Sequence, residues 1–136
     1  MINLQSQSCV LVKTERGSII QISFSGDYPP GSAANDVARA METAVTKALR
    51  EFAPVAVIFD LSNLRYVWGD AICTIFMPLR KRTRDFDFLP SCVVAQGETR
   101  KALTRLMAPN CVPGIAKSML FPEIEQALEH LIKRPS

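Results

Sequence analysis

The first clear pattern along the chain is an alternation of apolar and polar residues. Ile20, Ile22 and Phe24 alternate with polar neighbours, which is typical of a half-buried strand. Residues 9–13 form a shorter apolar run before it, and residues 15–18 have the composition of a turn. We therefore expect two strands joined as a hairpin.

The apolar period becomes helical after residues 26–31, a segment whose two consecutive prolines predict a loop. Ser32 or Asn35 could cap the helix that follows, and Pro54 lies just beyond its expected end. The apolar residues at helical spacing are Val37, Met41, Ala44, Val45, Ala48, Leu49 and Phe52.

Residues 55–61 form a continuous apolar run, which fits a strand buried on both faces of a parallel sheet. Residues 62–69 then connect this strand to a second helix that opens near Asp70. The expected apolar face of this helix consists of Ile72, Ile75, Phe76 and Leu79. Pro78 lies inside that helix, so we expect a kink or a break there.

The rest of the chain continues the alternation of strands and helices. Residues 92–95 and 118–121 predict short strands, and a helix over residues 98–107 separates them. Pro122 and the acidic residues after it predict the start of a last helix. Its apolar stripe consists of Ile124, Ala127, Leu128, Leu131 and Ile132.

The element order is therefore ββαβαβαβα. It predicts an α/β fold, with a mixed sheet of four to five strands and about four helices in a single domain. Ligands and partners of such sheets usually meet the carboxyl ends of the strands. This rule points to residues 62–70 as the functional edge.

Composition supports a folded domain without a membrane segment. Of the 136 residues, 48% are hydrophobic and 21% are charged, which is typical of globular proteins. No apolar run approaches the roughly 20 residues of a membrane-spanning helix. Residues 1–8 are polar and lack the features of a signal peptide. We expect residues 1–8 to be an N-terminal tail and residues 9–134 to be the domain.

The cysteines favour a reducing compartment. Cys9, Cys73, Cys92 and Cys111 are far apart in the sequence and stand beside apolar residues. This pattern favours buried thiols over a disulfide framework or a zinc site. Together with the polar N-terminus it predicts a cytoplasmic protein.

Neither catalysis nor nucleic-acid binding has support in the sequence. His130 is the single histidine, and no nucleophile elbow, P-loop or dinucleotide fingerprint is present. We therefore predict no enzyme activity, no metal and no cofactor. The net charge is only +3. The basic cluster at residues 80–84 is most simply a solvated helix end, although it could also contact an acidic partner or an anionic surface. Acidic and aromatic residues follow it, so we expect no nucleic acid as a partner.

The chain resembles a known family in its central strand and the loop that follows it. Residues 57–67, with the sequence VIFDLSNLRYV, lead into a helix as in STAS domains, the family of the SpoIIAA-like anti-sigma-factor antagonists. The later order also fits, with an apolar strand at residues 93–95, a helix that carries Leu103 and Leu106, and Phe121 before an acidic helix start. The resemblance extends from Cys9 to about residue 132.

This resemblance implies a non-catalytic bacterial signal-transduction module that binds another protein, such as an anti-sigma kinase-like protein. In the family, a kinase phosphorylates a serine where the loop opens the helix, and the added charge changes the contact surface. Here Gly69 stands at that position, so we expect no phosphorylation at the usual place. Thr74, one turn into the helix, is a poor substitute. Asp70 offers a permanent carboxylate, either as a helix cap or as a fixed charge of the loop.

We therefore predict a partner-binding loop that comprises Ser62, Asn63, Arg65, Trp68, Gly69 and Asp70. Trp68, the single tryptophan, either packs against the sheet or anchors the interface. Asp60 is expected to end the strand and to bond loop amides. An alternative function is a small-molecule or lipid-binding domain of the SpoIIAA-like superfamily, with residues 26–31 over a pocket. An oligomer is also possible.

Overall fold

A computed structural model of the chain describes residues 4–29, 31–66, 70–79, 89–107 and 119–133. Among these residues, no helix is long and apolar enough to cross a membrane. The elements, in chain order, are β1 (Leu4–Thr14), β2 (Gly17–Tyr28), α1 (Ala33–Phe52), β3 (Ala56–Tyr66), a 3-10 helix (Asp70–Leu79), β4 (Ser91–Val94), α2 (Gly97–Met107), β5 (Leu120–Phe121) and α3 (Ile124–Lys133).

The strands form one five-stranded sheet in the order β1-β2-β3-β4-β5. Strands β1 and β2 are antiparallel, and the remaining neighbours are parallel. The predicted α/β fold with a mixed sheet is confirmed, and so is the order of its elements. In β3, Val57 and Phe59 are buried in one cluster and Ile58 in another. This strand is therefore covered on both faces, as its continuous apolar run predicts.

The hairpin is longer than its apolar residues indicate. Strand β1 begins at Leu4, so most of the predicted N-terminal tail belongs to the sheet. The period-two pattern missed these residues because β1 is an edge strand whose side chains are mostly exposed. At the turn, the Thr14 hydroxyl donates to the Gly17 carbonyl at 2.9 Å and accepts from the Arg16 amide at 3.2 Å. Strand β2 likewise extends to Tyr28, into the segment predicted as a loop.

Helix α1 follows its predicted stripe closely. Met41 and Val45 are fully buried, with Ala48 one turn further along. Ser32 occupies the N-cap position but makes no side-chain cap bond. At the other end Ala53 adopts a left-handed conformation, and its amide donates to the Leu49 carbonyl at 3.0 Å. This geometry satisfies one terminal carbonyl before Pro54.

The second helix is a 3-10 helix of ten residues rather than a kinked α-helix. Pro78 lies inside it, and a proline removes an amide that an α-helix would use. The predicted apolar face still packs inward, with Ile72, Ile75 and Leu79 buried. Phe76 meets Phe59 of the sheet edge-to-face, with ring centroids 5.3 Å apart. The packing pattern was therefore predicted correctly, and the helix type was not.

Two apolar clusters lie on opposite faces of the sheet. The larger contains buried residues of α1, the 3-10 helix and α2, and the smaller contains Ala127 and Leu131 of α3. Ile132, which the predicted stripe places inside, is 51% exposed. The buried residues of α3 are Ala127 and Leu131, which form a narrow stripe. Ile132 lies outside this stripe and is therefore exposed.

The cysteines depart from the expectation that all four are thiols. Cys9 is an exposed thiol and Cys92 a buried one, but Cys73 is disulfide-bonded. Separation along a sequence does not limit proximity in a fold, so wide spacing could not exclude a disulfide. The cysteine pattern therefore gives no support to a reducing compartment. Cys111 lies outside the described residues.

Candidate partner-binding site

The carboxyl ends of β2 and β3 lie side by side at one edge of the sheet. Tyr28 pairs with Tyr66 in the register of the two strands, and both side chains are buried. Their rings meet edge-to-face at 5.1 Å with an interplanar angle of 67°. Aromatic pairs of this kind add to the stabilisation by burial alone. The pair therefore stabilises the contact between the ends of β2 and β3.

The structure corrects the backbone predicted for this edge. Strand β3 continues to Tyr66, so Ser62, Asn63 and Arg65 belong to the strand and not to a loop. Leu64 and Tyr66 are buried, whereas Asn63 and Arg65, which alternate with them, are exposed. The apolar residues after Leu61 thus have the alternation of a strand. The polar residues between them were misread as a loop.

A bulge in β3 sets which side chains face solvent. The register between β2 and β3 shifts between Ser23 and Ser25, and Ser23 pairs with Asp60 whereas Ser25 pairs with Asn63. At the bulge, the Asp60 carboxylate accepts a hydrogen bond from the Ser62 amide at 3.1 Å. Asp60 was expected to bond loop amides, and it does accept from a backbone amide, but that amide belongs to the strand. The predicted position of Asp60 at the strand end is wrong, because the carboxylate supports the bulge and the strand continues.

Thr99 on α2 holds the end of β3 in place. Its hydroxyl donates to the Leu64 carbonyl at 2.7 Å and accepts from the Tyr66 amide at 3.2 Å. Strand β4 pairs with β3 only from Val57 to Asp60. A residue of a neighbouring parallel strand would make this same pair of bonds. One buried hydroxyl therefore extends the support of β3 beyond the end of β4.

Sequence reasoning missed Thr99 because a threonine at the start of a helix is ordinary. The available signal was its spacing. Thr99 precedes Ala102 by three residues and Leu103 by four, which places it on the buried face of α2. A polar residue on such a face needs a hydrogen-bonding partner, and the end of a neighbouring strand can provide one.

The accessible charge at this edge comes from β2 and β3. The Arg65 guanidinium lies 3.6 Å from the Asp27 carboxylate, with side-chain exposures of 82% and 49%. Exposed pairs of this kind contribute little to stability. The guanidinium remains open to solvent, so it can form new contacts with a partner. Asn63 is exposed on the same strand.

Only some of the other residues predicted for the site lie within the described part of the chain. Trp68 and Gly69 lie outside the described residues, as does the basic cluster at 80–84. Asp70 is the first residue of the 3-10 helix, so its backbone is at the predicted helix start. The Thr74 hydroxyl is buried and has no hydrogen-bonding partner among the described residues.

No group of three or more histidine, cysteine or acidic residues that could hold a metal occurs in the described part of the chain. The site instead presents exposed polar groups on a strand end that hydrogen-bonds to Thr99. Such an arrangement can form hydrogen bonds and ion pairs with another macromolecule.

Comparison with known proteins identifies the fold. No family model matches the sequence, and no curated protein matches it. The structure is similar to the crystal structure of an anti-sigma factor antagonist from Mycobacterium paratuberculosis, with a TM-score of 0.53 and 22% identity. The alignment covers 93% of this chain and 96% of that one. At this identity the likeness establishes a shared fold.

Proposed function

We propose that this protein is a non-catalytic regulatory module that binds another protein, as anti-sigma-factor antagonists do. The observation that carries the proposal is the shared fold over nearly the full length of both chains. The sequence pattern at residues 57–67 supports it independently. We infer a cytoplasmic location and an anti-sigma kinase-like protein as partner from the same resemblance.

The proposed contact surface is the carboxyl end of β3 and the segment that leads to the 3-10 helix. Asn63 and Arg65 contribute exposed polar groups from the strand. Ser62 is half-buried at the bulge, where it shapes the surface. We assign Trp68 as the aromatic anchor of this surface and include Gly69 and Asp70, the next two residues in the sequence. Tryptophan and arginine, which this surface includes, are enriched at interface centres.

We further propose that the interaction does not depend on phosphorylation of this segment. Gly69 has no hydroxyl where the family carries its serine. Burial of the Thr74 hydroxyl would keep that residue from a kinase, and Asp70 supplies a negative charge permanently. After incubation with ATP and the kinase-like partner, mass spectrometry should find no phosphate between residues 62 and 74. Phosphate there would contradict this part of the proposal.

A binding titration against anti-sigma kinase-like proteins from the same cell tests the main proposal. Arg65→Glu reverses an exposed charge at the centre of the surface and should weaken binding about tenfold or more. Arg39→Glu is the matched control, because Arg39 is exposed on α1 and also pairs with an aspartate, at 3.4 Å. Trp68→Ala and Asp70→Lys should weaken binding as Arg65→Glu does.

The outcomes test the location of the interface separately from the proposed function. If all three site variants fold and bind as tightly as the wild type, the β3 edge is not the interface. If no anti-sigma kinase-like protein binds the wild type, the proposed function is wrong.

A further inference from the structure

Strand β1 forms one edge of the sheet and has an unusual composition for that place. Within the described residues it pairs with β2 alone. From Leu4 to Val10 it contains no charged residue, no proline and no glycine. Edge strands expose unpaired amides and carbonyls, and soluble proteins usually protect them with charges, prolines or a covering element. The protective features expected of a solitary edge are missing from this stretch.

The stretch from Leu4 to Val10 has an apolar residue at each end, so two antiparallel copies would bring apolar residues together. The register of β1 shifts between Val10 and Val12, so regular alternation extends from Leu4 to Val10, with Gln7 at the midpoint. A second copy paired antiparallel about Gln7 would place Leu4 opposite Val10 on the face that packs against α1. Leu4 is half-buried against the larger core, and Val10 is 38% exposed. The pairing would cover that exposed side chain at both ends of the ladder.

The neighbouring helix is also self-complementary. A groove of about 160 Å³ between β1 and α1 is lined by Ser6, Gln7 and Ser8 on the strand and by Lys47 and Glu51 on the helix. An antiparallel strand pair has its two-fold axis perpendicular to the sheet. Both α1 helices would therefore lie on the same face, antiparallel, two to three strand spacings or roughly 10–14 Å apart. Lys47 of each copy would then face Glu51 of the other.

We propose that the protein forms a two-fold homodimer through residues Leu4–Val10 of β1, which joins the two five-stranded sheets into one. The partner is a second copy of this chain, because its apolar ends and its lysine and glutamate match themselves under a two-fold rotation. Isologous dimers of this kind are the commonest homo-oligomers. The carboxyl end of β3, where we propose that the other protein binds, takes no part in this contact.

A charge exchange at the axis is the first test. In the proposed register Gln7 lies opposite its own copy, so Gln7→Lys places two lysines side by side and should raise the dimer dissociation constant about fivefold. Gln7→Glu should do the same. An equimolar mixture of the two variants should form a heterodimer at least as stable as the wild-type homodimer. Gln126→Lys, on the exposed face of α3, adds the same charge elsewhere and should change nothing. Sedimentation equilibrium measures all four.

A cross-link tests the register. Gln5 of one copy lies opposite Cys9 of the other, so Gln5→Cys should give a covalent dimer under mild oxidation, visible on a non-reducing gel. Adding Cys9→Ser should abolish that cross-link. The proposal fails if the wild type is monomeric up to about 100 µM, a weak-affinity limit. It fails equally if a dimer forms but neither the charge exchange nor the cross-link behaves as stated.

Discussion

Replacement of Thr99 by valine removes the hydroxyl that ties α2 to the end of β3 and preserves the shape of the side chain. Two bonds are lost, one to the Leu64 carbonyl at 2.7 Å and one from the Tyr66 amide at 3.2 Å. Thr99 is 7% exposed, so water cannot readily replace the hydroxyl. A buried backbone group left without a partner costs roughly 1–3 kcal/mol. We expect Thr99→Val to lower the free energy of unfolding by about 2–4 kcal/mol.

Thr99→Ser is the matched control, because it keeps the hydroxyl and removes only a methyl group. The methyl loss should cost about 1 kcal/mol. Urea denaturation measures both variants. In a thermal scan the valine variant should melt roughly 8–16 °C below the wild type, at about 4 °C per kcal/mol for a domain of this size.

Hydrogen exchange identifies the cause of the loss. The Tyr66 amide should exchange faster in Thr99→Val than in Thr99→Ser, because only valine removes its acceptor. Partner binding should weaken in the valine variant as well, since Arg65 lies between the two tethered residues. The reasoning is refuted if serine destabilises as much as valine, or if Tyr66 exchange is the same in both variants.

Two further predictions concern a tight turn and a buried thiol. Gly17 has φ +142, and an added Cβ would lie 2.6 Å from Val55 Cγ1, so Gly17→Ala should cost about 3 kcal/mol of stability. Gly31, with φ +74 and no atom within 4 Å of an added Cβ, should lose only about 1 kcal/mol as alanine; equal losses would contradict the steric argument. Burial raises the pKa of the Cys92 thiol to about 12, so iodoacetamide at pH 8 should label exposed Cys9 and leave Cys92 unmodified by mass spectrometry. Rapid labelling of Cys92 in the folded protein would show that its site opens.

The sequence predicts the fold because buried positions are occupied by apolar residues, and their spacing follows the secondary structure. Helix α1 and strand β3 are covered by other elements, so their apolar residues repeat with clear helical or continuous patterns. Strand β1 is an edge, and of residues 4–8 only Leu4 and Ser8 are half-buried, so few of these positions demand apolar side chains. The same reasoning explains the 3-10 helix. Its buried residues were predicted, but the effect of Pro78 on backbone hydrogen bonding depends on the whole segment.

The candidate site is predictable only in part, since it depends on long-range contacts. The position of residues 62–66 after an apolar strand was evident, and the topology rule placed them at an edge. Their extended conformation depends on Thr99, which is 33 residues away from Tyr66. The bulge depends on Asp60 and on the register with β2. The bulge also spaces the buried Leu61 and Leu64 three residues apart, which interrupts the period-two pattern, so a strand was misread as a loop.

The proposed dimer and the proposed binding edge together make a prediction about stoichiometry. Antiparallel pairing through β1 reverses the direction of β3 between copies, so the two binding edges would point to opposite ends of the joined sheet. Each end would bind one partner molecule without interference from the other, so a complex of two copies and two partner molecules should form. Gln7→Lys should leave the affinity for the soluble partner unchanged but shift the complex, in sedimentation, towards one copy and one partner molecule. Complexes of the same size for variant and wild type would show that the dimer has no part in partner capture. A loss of affinity for the soluble partner would instead place the β1 edge within the binding site.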